Sequence, residues 1–200
     1  MTDIELVTRI ANGDRSGFNT LVWRWEKSIY NFALRYTGKK EVAREVTQKT
    51  FIRVYKNINR LREAEKFSSW IYQIAANLCK DEMKKFSNRD FFSLELIQEN
   101  NENGHALPNE LIEKNYTQPD AELNHRQIGK IIQRALNQLP KEQRVVIIMK
   151  EYQGLKFKEI AEALDESINT IKSRMYYGLN SLRKIFEKWE ITEEAKSYEM

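Results

Sequence analysis

The sequence predicts an all-α protein made of two small helical domains that are joined by a flexible acidic linker. Seven Gly and three Pro among 200 residues leave little room for a turn-rich β architecture. Apolar residues recur at helical spacing through residues 1–86 and again through 121–188. Between them, residues 87–120 lose this period and contain the first two prolines and several asparagines, which is typical of a linker.

The first domain is predicted to contain four helices, at 3–12, 15–37, 41–59 and 67–86. Asp14 or Ser16, in "GDRSGF", is the expected N-cap of the second helix. The second domain is predicted to contain helices at 121–138, 141–153, 157–164 and 168–188. Pro140 suits the first turn of the second of these, and Ser167 suits the N-cap of the last. The acidic tail 189–200 is expected to fray.

Charge divides along the same boundaries. The net charges of 1–86, 87–125, 126–188 and 189–200 are +7, −6, +6 and −3, which together give the formal net charge of +4. Two basic domains that flank an acidic connector indicate two surfaces for a polyanion. Ordinary charge patches on a helical protein are the alternative. The chain has no membrane-length apolar run, and "MTDIELVTRI" lacks a signal-peptide profile, so we expect it in the cytoplasm.

Chemistry on small molecules is not predicted. The lone Cys79 lies in an apolar helical pattern and is expected to be a buried structural cysteine. His105 and His125 are too isolated to suggest a metal site, and no Gly-rich phosphate loop or catalytic Ser/His/Asp arrangement is present. We therefore expect neither a cofactor nor enzymatic activity.

Helix 168–188 has an apolar and a polar side. At about 100° per residue, the apolar side is predicted to hold Ile171, Met175, Leu179 and Leu182. The polar side and its flanks carry Asn169, Thr170, Lys172, Ser173, Arg174, Tyr177, Asn180 and Lys184. Following helix 157–164 and a tight turn, this pattern is typical of a helix-turn-helix whose second helix enters the DNA major groove. An ordinary amphipathic surface helix is the alternative.

Helix 41–59 is predicted to present a docking face. Its buried face is predicted to consist of Ala43, Val46, Thr47, Thr50, Val54 and Ile58. The opposite face carries Glu45, Gln48, Lys49 and Ile52. An isoleucine framed by an acid and an amide at helical spacing indicates a protein partner, although a single exposed isoleucine is common.

Helix 67–86 is predicted to turn Ile71, Ile74, Ala75 and Leu78 inward. Its outward stripe is Gln73, Asn77, Lys80 and Lys84, with Trp70 and Tyr72 near its start. Aromatic rings, amides and lysines together suit melted nucleic acid, whose bases need flat surfaces and whose backbone needs cations. The pattern is equally consistent with Trp70 and Tyr72 being core residues.

Two stretches resemble a known family. "EVTQKTFIRVYKNINRL" with "KFSSWIYQIAANLCKDEMKK" is similar to region 2 of bacterial RNA polymerase sigma factors, and "LNQLPKEQRVVIIMKEYQGLKFKEIAEALDESINTIKSRMYYGLNSLRK" is similar to their region 4. The resemblance covers roughly 5–86 and 121–188, with only a short connector between them. The chain is therefore identified as a sigma-70 family member of the extracytoplasmic-function (ECF) type, a promoter-specificity subunit without chemistry of its own.

The resemblance also implies roles. It implies that Glu45 and Gln48 grip the coiled coil of the largest polymerase subunit, on a surface shared with Lys49 and Ile52. For the −10 element it implies that Asn77 helps to capture a flipped base, on a surface that also holds Trp70, Gln73, Lys80 and Lys84. For the −35 element it implies contacts from Lys172, Ser173 and Arg174, on a surface shared with Asn169, Thr170 and Tyr177. The acidic linker is expected to thread into the polymerase interior.

The implied partners are the RNA polymerase core (through the largest-subunit coiled coil and the flap), promoter DNA and an anti-sigma factor, which in this family is often membrane-bound. Four residues depart from the family pattern: Lys49 replaces an acid, Tyr177 and Leu179 replace arginines, and Glu166 replaces an apolar residue. We expect Lys49 to weaken docking without abolishing it, and the recognition helix to be less cationic. The rival interpretation is a freestanding helix-turn-helix regulator with an N-terminal interaction domain.

Overall fold

The computed structural model describes the backbone of residues 1–93 and 119–189, and the side chains within these ranges except those of 15, 86–93 and 119–126. Most of the predicted linker 87–120 and nearly all of the predicted tail 189–200 lie outside the described residues. We call residues 1–93 the first lobe and residues 119–189 the second lobe.

The first lobe consists of four α-helices. Their bounds are α1 Asp3–Ala11, α2 Phe18–Thr37, α3 Lys40–Asn57 and α4 Phe67–Ser93. Thr2 and Glu5 form a reciprocal capping box on α1. The Asp14 carboxylate accepts hydrogen bonds from the Ser16 backbone and hydroxyl within the short 3-10 turn Arg15–Gly17 that precedes α2. The N-cap residue of α2 itself is Gly17, so the prediction of Asp14 or Ser16 at that position was wrong. These bonds and the nearby Arg9 lower the pKa of Asp14 to about 2.

The second lobe contains the other four helices. Their bounds are α5 Pro119–Gln138, α6 Lys141–Ile147, α7 Phe157–Leu164 and α8 Ile168–Lys188. A π-helical segment, Ile148–Tyr152, continues α6. The sequence predicted one regular helix over 141–153, so this irregular turn is a correction. A second correction concerns α4, which runs to Ser93 and not to 86.

The core is apolar, continuous and shared by both lobes. The predicted buried face of α3 is confirmed, since Ala43, Val46 and Val54 have no exposed surface and Thr50 is equally enclosed. Cys79 is buried, as predicted, and burial raises the pKa of its thiol. Among the described helices, none combines the length and the apolar character that a membrane crossing requires.

The two lobes pack against each other, with α7 lying along α4 and the π-helical segment against α2. Polar groups join them directly. The Tyr72 hydroxyl donates to Gln153 Oε1 at 2.7 Å, and the Gln133 amide donates to the Arg35 carbonyl at 2.9 Å. The Arg35 guanidinium also lies 4.2 Å from the centre of the Tyr152 ring. The described lobes therefore form a closed arrangement.

Candidate nucleic-acid interfaces

The outer face of α3 is exposed, as the sequence predicted. Glu45 and Gln48 are open to solvent, and Ile52 retains 46% of its surface. The face is available because the opposite side of α3 packs on α2 and α4. An apolar side chain is thus displayed between polar neighbours that can hydrogen-bond to a partner.

Lys49 points away from the centre of this face and toward α4. Its ammonium pairs with Glu45 on its own helix and with Glu82 on α4, at 2.9 Å from Glu82. The Glu82 carboxylate is almost fully buried and accepts a second ion pair from Lys85 at 2.8 Å. Hydrogen bonds from Lys85 and Lys49 lower the pKa of Glu82, while those to Glu45 and Glu82 raise the pKa of Lys49. The residue that departs from the family pattern therefore tethers α3 to α4.

Sequence reasoning missed a groove beside Ile52, between α2 and α3. Its apolar walls include Phe18, Val22, Phe51 and Tyr55, and Gln48 and Ile52 form part of its rim. Trp23, also at this groove, is 82% exposed. A tryptophan that α2 turns outward could have been found from the helical period of "VWRWEK", where Trp25 is the inward ring.

Solvent exposure increases along the outward stripe of α4. Ser69 is buried, and its hydroxyl lies 3.3 Å from Glu162 Oε2 on α7. Gln73, one turn further on the same side, is half-buried. Asn77, Lys80 and Lys84 are exposed. The second lobe therefore contacts α4 at the turn where the predicted −10 surface begins, and this surface is open from Asn77 onward.

The two aromatic residues near the start of α4 differ. Tyr72 is a core residue with 3% exposure, and its ring packs edge-on against Phe32 and Trp25. Burial raises the pKa of its hydroxyl. Trp70 is only half-buried and lies 6.1 Å from the ring of Phe67. Of the two, Trp70 alone has a surface on which a base could stack.

A tight turn sets α8 against α7. Asp165 adopts the left-handed conformation at φ 53°, which Asp tolerates better than most residues. Ser167 is the N-cap of α8, as predicted, and its hydroxyl accepts the Thr170 backbone N–H at 3.0 Å. Glu166, another residue that departs from the family pattern, pairs with the Arg174 guanidinium at 2.7 Å. This is a helix-turn-helix with its second helix capped and fixed.

The predicted reading side of α8 faces solvent. Asn169, Lys172, Ser173 and Tyr177 are exposed, and Thr170 and Arg174 are partly so. The predicted buried side requires a correction, because Leu179 is 47% exposed. Gly178 is buried in its place, and a Cβ there would lie 2.8 Å from Ile147 Cδ1. The absence of a side chain lets α6 approach at Gly178, so the buried side centres on Ile171, Met175 and Gly178.

Two helical lobes, one with a helix-turn-helix whose second helix is exposed and the other with an aromatic and cationic stripe, define a helical nucleic-acid-binding protein of the transcription-factor class. Comparison with known proteins agrees. Residues 21–89 match the sigma-70 region 2 family and residues 129–182 match the sigma-70 region 4 family. The chain belongs to the sigma-70 family of RNA polymerase sigma factors, which are non-enzymatic transcription initiation factors.

Curated relatives carry the name ECF RNA polymerase sigma-E factor. Those of Salmonella typhimurium and Escherichia coli are each 31% identical over 178 residues, covering 88% of this chain and 90% of the relative. The Haemophilus influenzae relative is 28% identical over 180 residues, with the same coverage. The assignment to the ECF type is thereby confirmed.

Two solved structures share the fold. The sigma factor RpoE in complex with the anti-sigma factor NepR, from Bartonella quintana, aligns with a TM-score of 0.64 at 19% identity, over 85% of this chain and 96% of that one. CnrH in complex with the cytosolic domain of CnrY aligns with a TM-score of 0.65 at 17% identity, over 93% and 97%.

Proposed function

We propose that the two lobes of this sigma factor divide the work of promoter recognition. The first lobe docks on the RNA polymerase core and holds melted −10 bases, and the second lobe reads the duplex −35 element. The observation that carries the proposal is the pairing of two unlike surfaces. One is an aromatic and amide stripe on α4, suited to unstacked bases, and the other is a capped polar helix, suited to a groove.

Docking is assigned to the outer face of α3. Glu45 and Gln48 supply hydrogen-bonding groups around Ile52, and the neighbouring groove with Trp23 extends the apolar area. A few buried aromatic or aliphatic anchors normally dominate such an interface. We assign the coiled coil of the largest polymerase subunit to this face and the flap to the second lobe. Lys49 also belongs to this face and supports it by pairing with Glu45.

Capture of the melted −10 strand is assigned to the exposed part of α4. Asn77 offers both a donor and an acceptor to a flipped base, and Lys80 and Lys84 follow along the helix to hold phosphates. Trp70 and Gln73, which are half-buried, complete this surface toward the start of α4. Stacking on an aromatic ring is worth roughly 1–3 kcal/mol per base.

The −35 element is assigned to α8. Short side chains at Asn169, Thr170 and Ser173 reach base edges, and Lys172 and Arg174 hold the flanking phosphates. The acidic linker, within residues 87–120, is proposed to cross the polymerase interior, where a negative chain can occupy a nucleic-acid channel. We also propose that an anti-sigma factor, membrane-bound or not, regulates this protein and that the protein acts in the cytoplasm, where the polymerase works.

The test is run-off transcription with purified core polymerase on the promoter of the chain's own gene. We expect start-site-specific transcripts with core plus the chain, and none with core alone. The Asn77→Ala variant should reduce permanganate reactivity of the bubble by about tenfold, one base contact, and leave initial binding nearly unchanged. Asn59→Ala, at an exposed asparagine of the same lobe outside every proposed surface, is the matched control.

Two results would contradict the proposal. Unchanged permanganate footprints in Asn77→Ala would remove this residue from base capture. Tight operator binding by the chain without polymerase, together with no effect on start-site choice, would instead indicate a freestanding regulator.

A further inference from the structure

Two adjacent tyrosines stand out in the middle of α8. Tyr176 and Tyr177 are 64% and 59% exposed, and they lie outside the side of α8 that packs on α6 and α7. Their ring centroids are 5.5 Å apart and the ring planes meet at 72°, an edge-to-face contact. Each ring restricts the other, so the pair is partly ordered before any partner binds.

The pair continues the reading side of the helix. Tyr176 follows Lys172 by four residues and Tyr177 follows Ser173 by four, so each ring lies one turn beyond a residue assigned to the −35 element. Arg174 stands at the flank of this side, where it pairs with Glu166 beside the turn between α7 and α8, and residues 175–178 contain no arginine. Phenol rings therefore occupy the middle of this side.

The chemistry of a phenol ring limits what it can read. It cannot make the bidentate donor pair by which arginine recognises guanine O6 and N7. Its apolar edge can instead pack on the C5-methyl group of thymine, the one apolar feature that a base pair presents in the major groove. The hydroxyl groups remain free to reach a neighbouring phosphate or water.

We propose that Tyr176 and Tyr177 form an aromatic specificity determinant that reads thymine methyl groups in the −35 element. The duplex is the occupant because the pair is continuous with the polar reading side and lies on the lobe whose residues 126–188 carry a net charge of +6. The inference rests on the proposed function and deepens it. This sigma factor prefers A·T pairs at the positions that the third turn of α8 faces.

The experiment measures binding of the holoenzyme, core polymerase plus the full chain, to fluorescent promoter DNA. Each thymine of the −35 element is replaced in turn by deoxyuridine, which removes only the methyl group. One or two positions should weaken binding by about fourfold, the value of one buried methyl group. Deoxyuridine in the spacer between the two elements is the DNA control and should have no effect.

Protein variants locate the contact. Tyr176→Ala with Tyr177→Ala should bind the thymine promoter several-fold more weakly and should no longer distinguish thymine from deoxyuridine. Replacing both residues by Phe keeps the rings and should preserve the discrimination. Both positions are exposed, so the variants should keep the wild-type urea midpoint, which confirms that they fold.

The inference is overturned if deoxyuridine at every −35 position leaves affinity unchanged, or if the double alanine variant still discriminates. A pair that instead docks a protein would show that same insensitivity to methyl groups. Failure of the proposed function looks different, because the holoenzyme would then give no start-site-specific transcript on any template.

Discussion

The two predicted reading helices differ in how accessible they are. On α8, the reading side from Asn169 to Tyr177 is open along its length. On α4, the corresponding stripe begins under α7, where Ser69 is buried against Glu162, and reaches solvent only at Asn77. The helix assigned to duplex DNA is thus accessible without any rearrangement, whereas the helix assigned to melted DNA is in contact with the other lobe where its stripe begins.

Closure of the lobes therefore affects the accessibility of α4 and not that of α8. Trp70 and Gln73, at the start of the stripe, are half-buried in the closed arrangement, and we expect them to become more exposed when the lobes part. A partner that binds the separated lobes better than the closed pair shifts the population toward the separated form. Polymerase, which must place the two helices over distant promoter elements, is such a partner. Mutations can show whether the lobes are separable and how firmly each reading helix is held.

The largest effect is expected from Arg144→Leu. The buried Arg144 guanidinium donates to the carbonyls of Asn137 at 2.6 Å, Leu139 at 3.1 Å and, in the first lobe, Tyr36 at 3.1 Å. Removing these charged donors should lower the free energy of unfolding of the second lobe by about 3 kcal/mol. Hydrogen exchange should show amides of α5–α8 losing protection while those of α2–α4 keep it.

Arg134→Leu, at an exposed position of α5, is the matched control and should change little. If α2–α4 lose protection in parallel with α5–α8, the lobes unfold as one unit. The second lobe could then not move off α4 while the first lobe stays folded, and the proposed difference between the two reading helices would fail.

The sequence allowed much of each reading helix to be predicted, because local signals determine it. Helical period located the buried face of α3 and the exposure of Asn77, and the preference of serine for N-cap positions located the cap at Ser167. The prediction that Leu179 is buried was wrong because Gly178 lies at the centre of the buried side of α8. That side is set by the close approach of α6 to the glycine, which is a tertiary contact that helical periodicity does not reveal.

Closure of the lobes could not be predicted for the same reason. The sequence shows Tyr72 only as an aromatic residue of an amphipathic helix. It does not show that the Tyr72 hydroxyl bonds to Gln153, because Gln153 lies in the other lobe. Lys49 likewise reads as a charge reversal on a docking face until Glu82 is placed beside it. Such long-range polar pairs need the fold before they can be recognised.

The second prediction measures accessibility directly with reporter thiols. Cys79 is buried and its pKa is raised, so it should stay silent. Gln73→Cys should react with a maleimide roughly tenfold more slowly than Ser173→Cys, because a closed pair of lobes must open first. Stopped-flow labelling of each variant gives the two rates.

Adding Tyr72→Phe removes the hydroxyl that donates to Gln153 and keeps the ring in the core. A net hydrogen bond of about 1 kcal/mol predicts that labelling at position 73 accelerates about fivefold, and labelling at 173 should not change. Equal rates at both positions from the start would mean that α7 does not protect α4.

The smallest effect concerns the middle of α4, where Glu82 pairs with Lys49. The pKa of Glu82 is lowered in the folded state. The stability that this carboxylate contributes is therefore present above its ordinary pKa of 4.5 and is lost as the pH falls through the lower folded value. Acid should loosen the first lobe at its α3–α4 tether and should leave α8, which does not depend on this carboxylate, unaffected.

Lys49→Met removes one of the two cations that hold this pKa down. Glu82 then protonates at a higher pH, so the variant should lose stability earlier on acidification and should be about 1 kcal/mol less stable at pH 7. Urea midpoints of the first lobe at pH 7, 5 and 3.5 measure both effects. Arg183→Met breaks an exposed ion pair with Glu187 on α8 and should be neutral throughout, because exposed pairs contribute little. Parallel pH curves for wild type and Lys49→Met would show that Lys49 does not tether α4, and that the departure from the family pattern acts on the docking face after all.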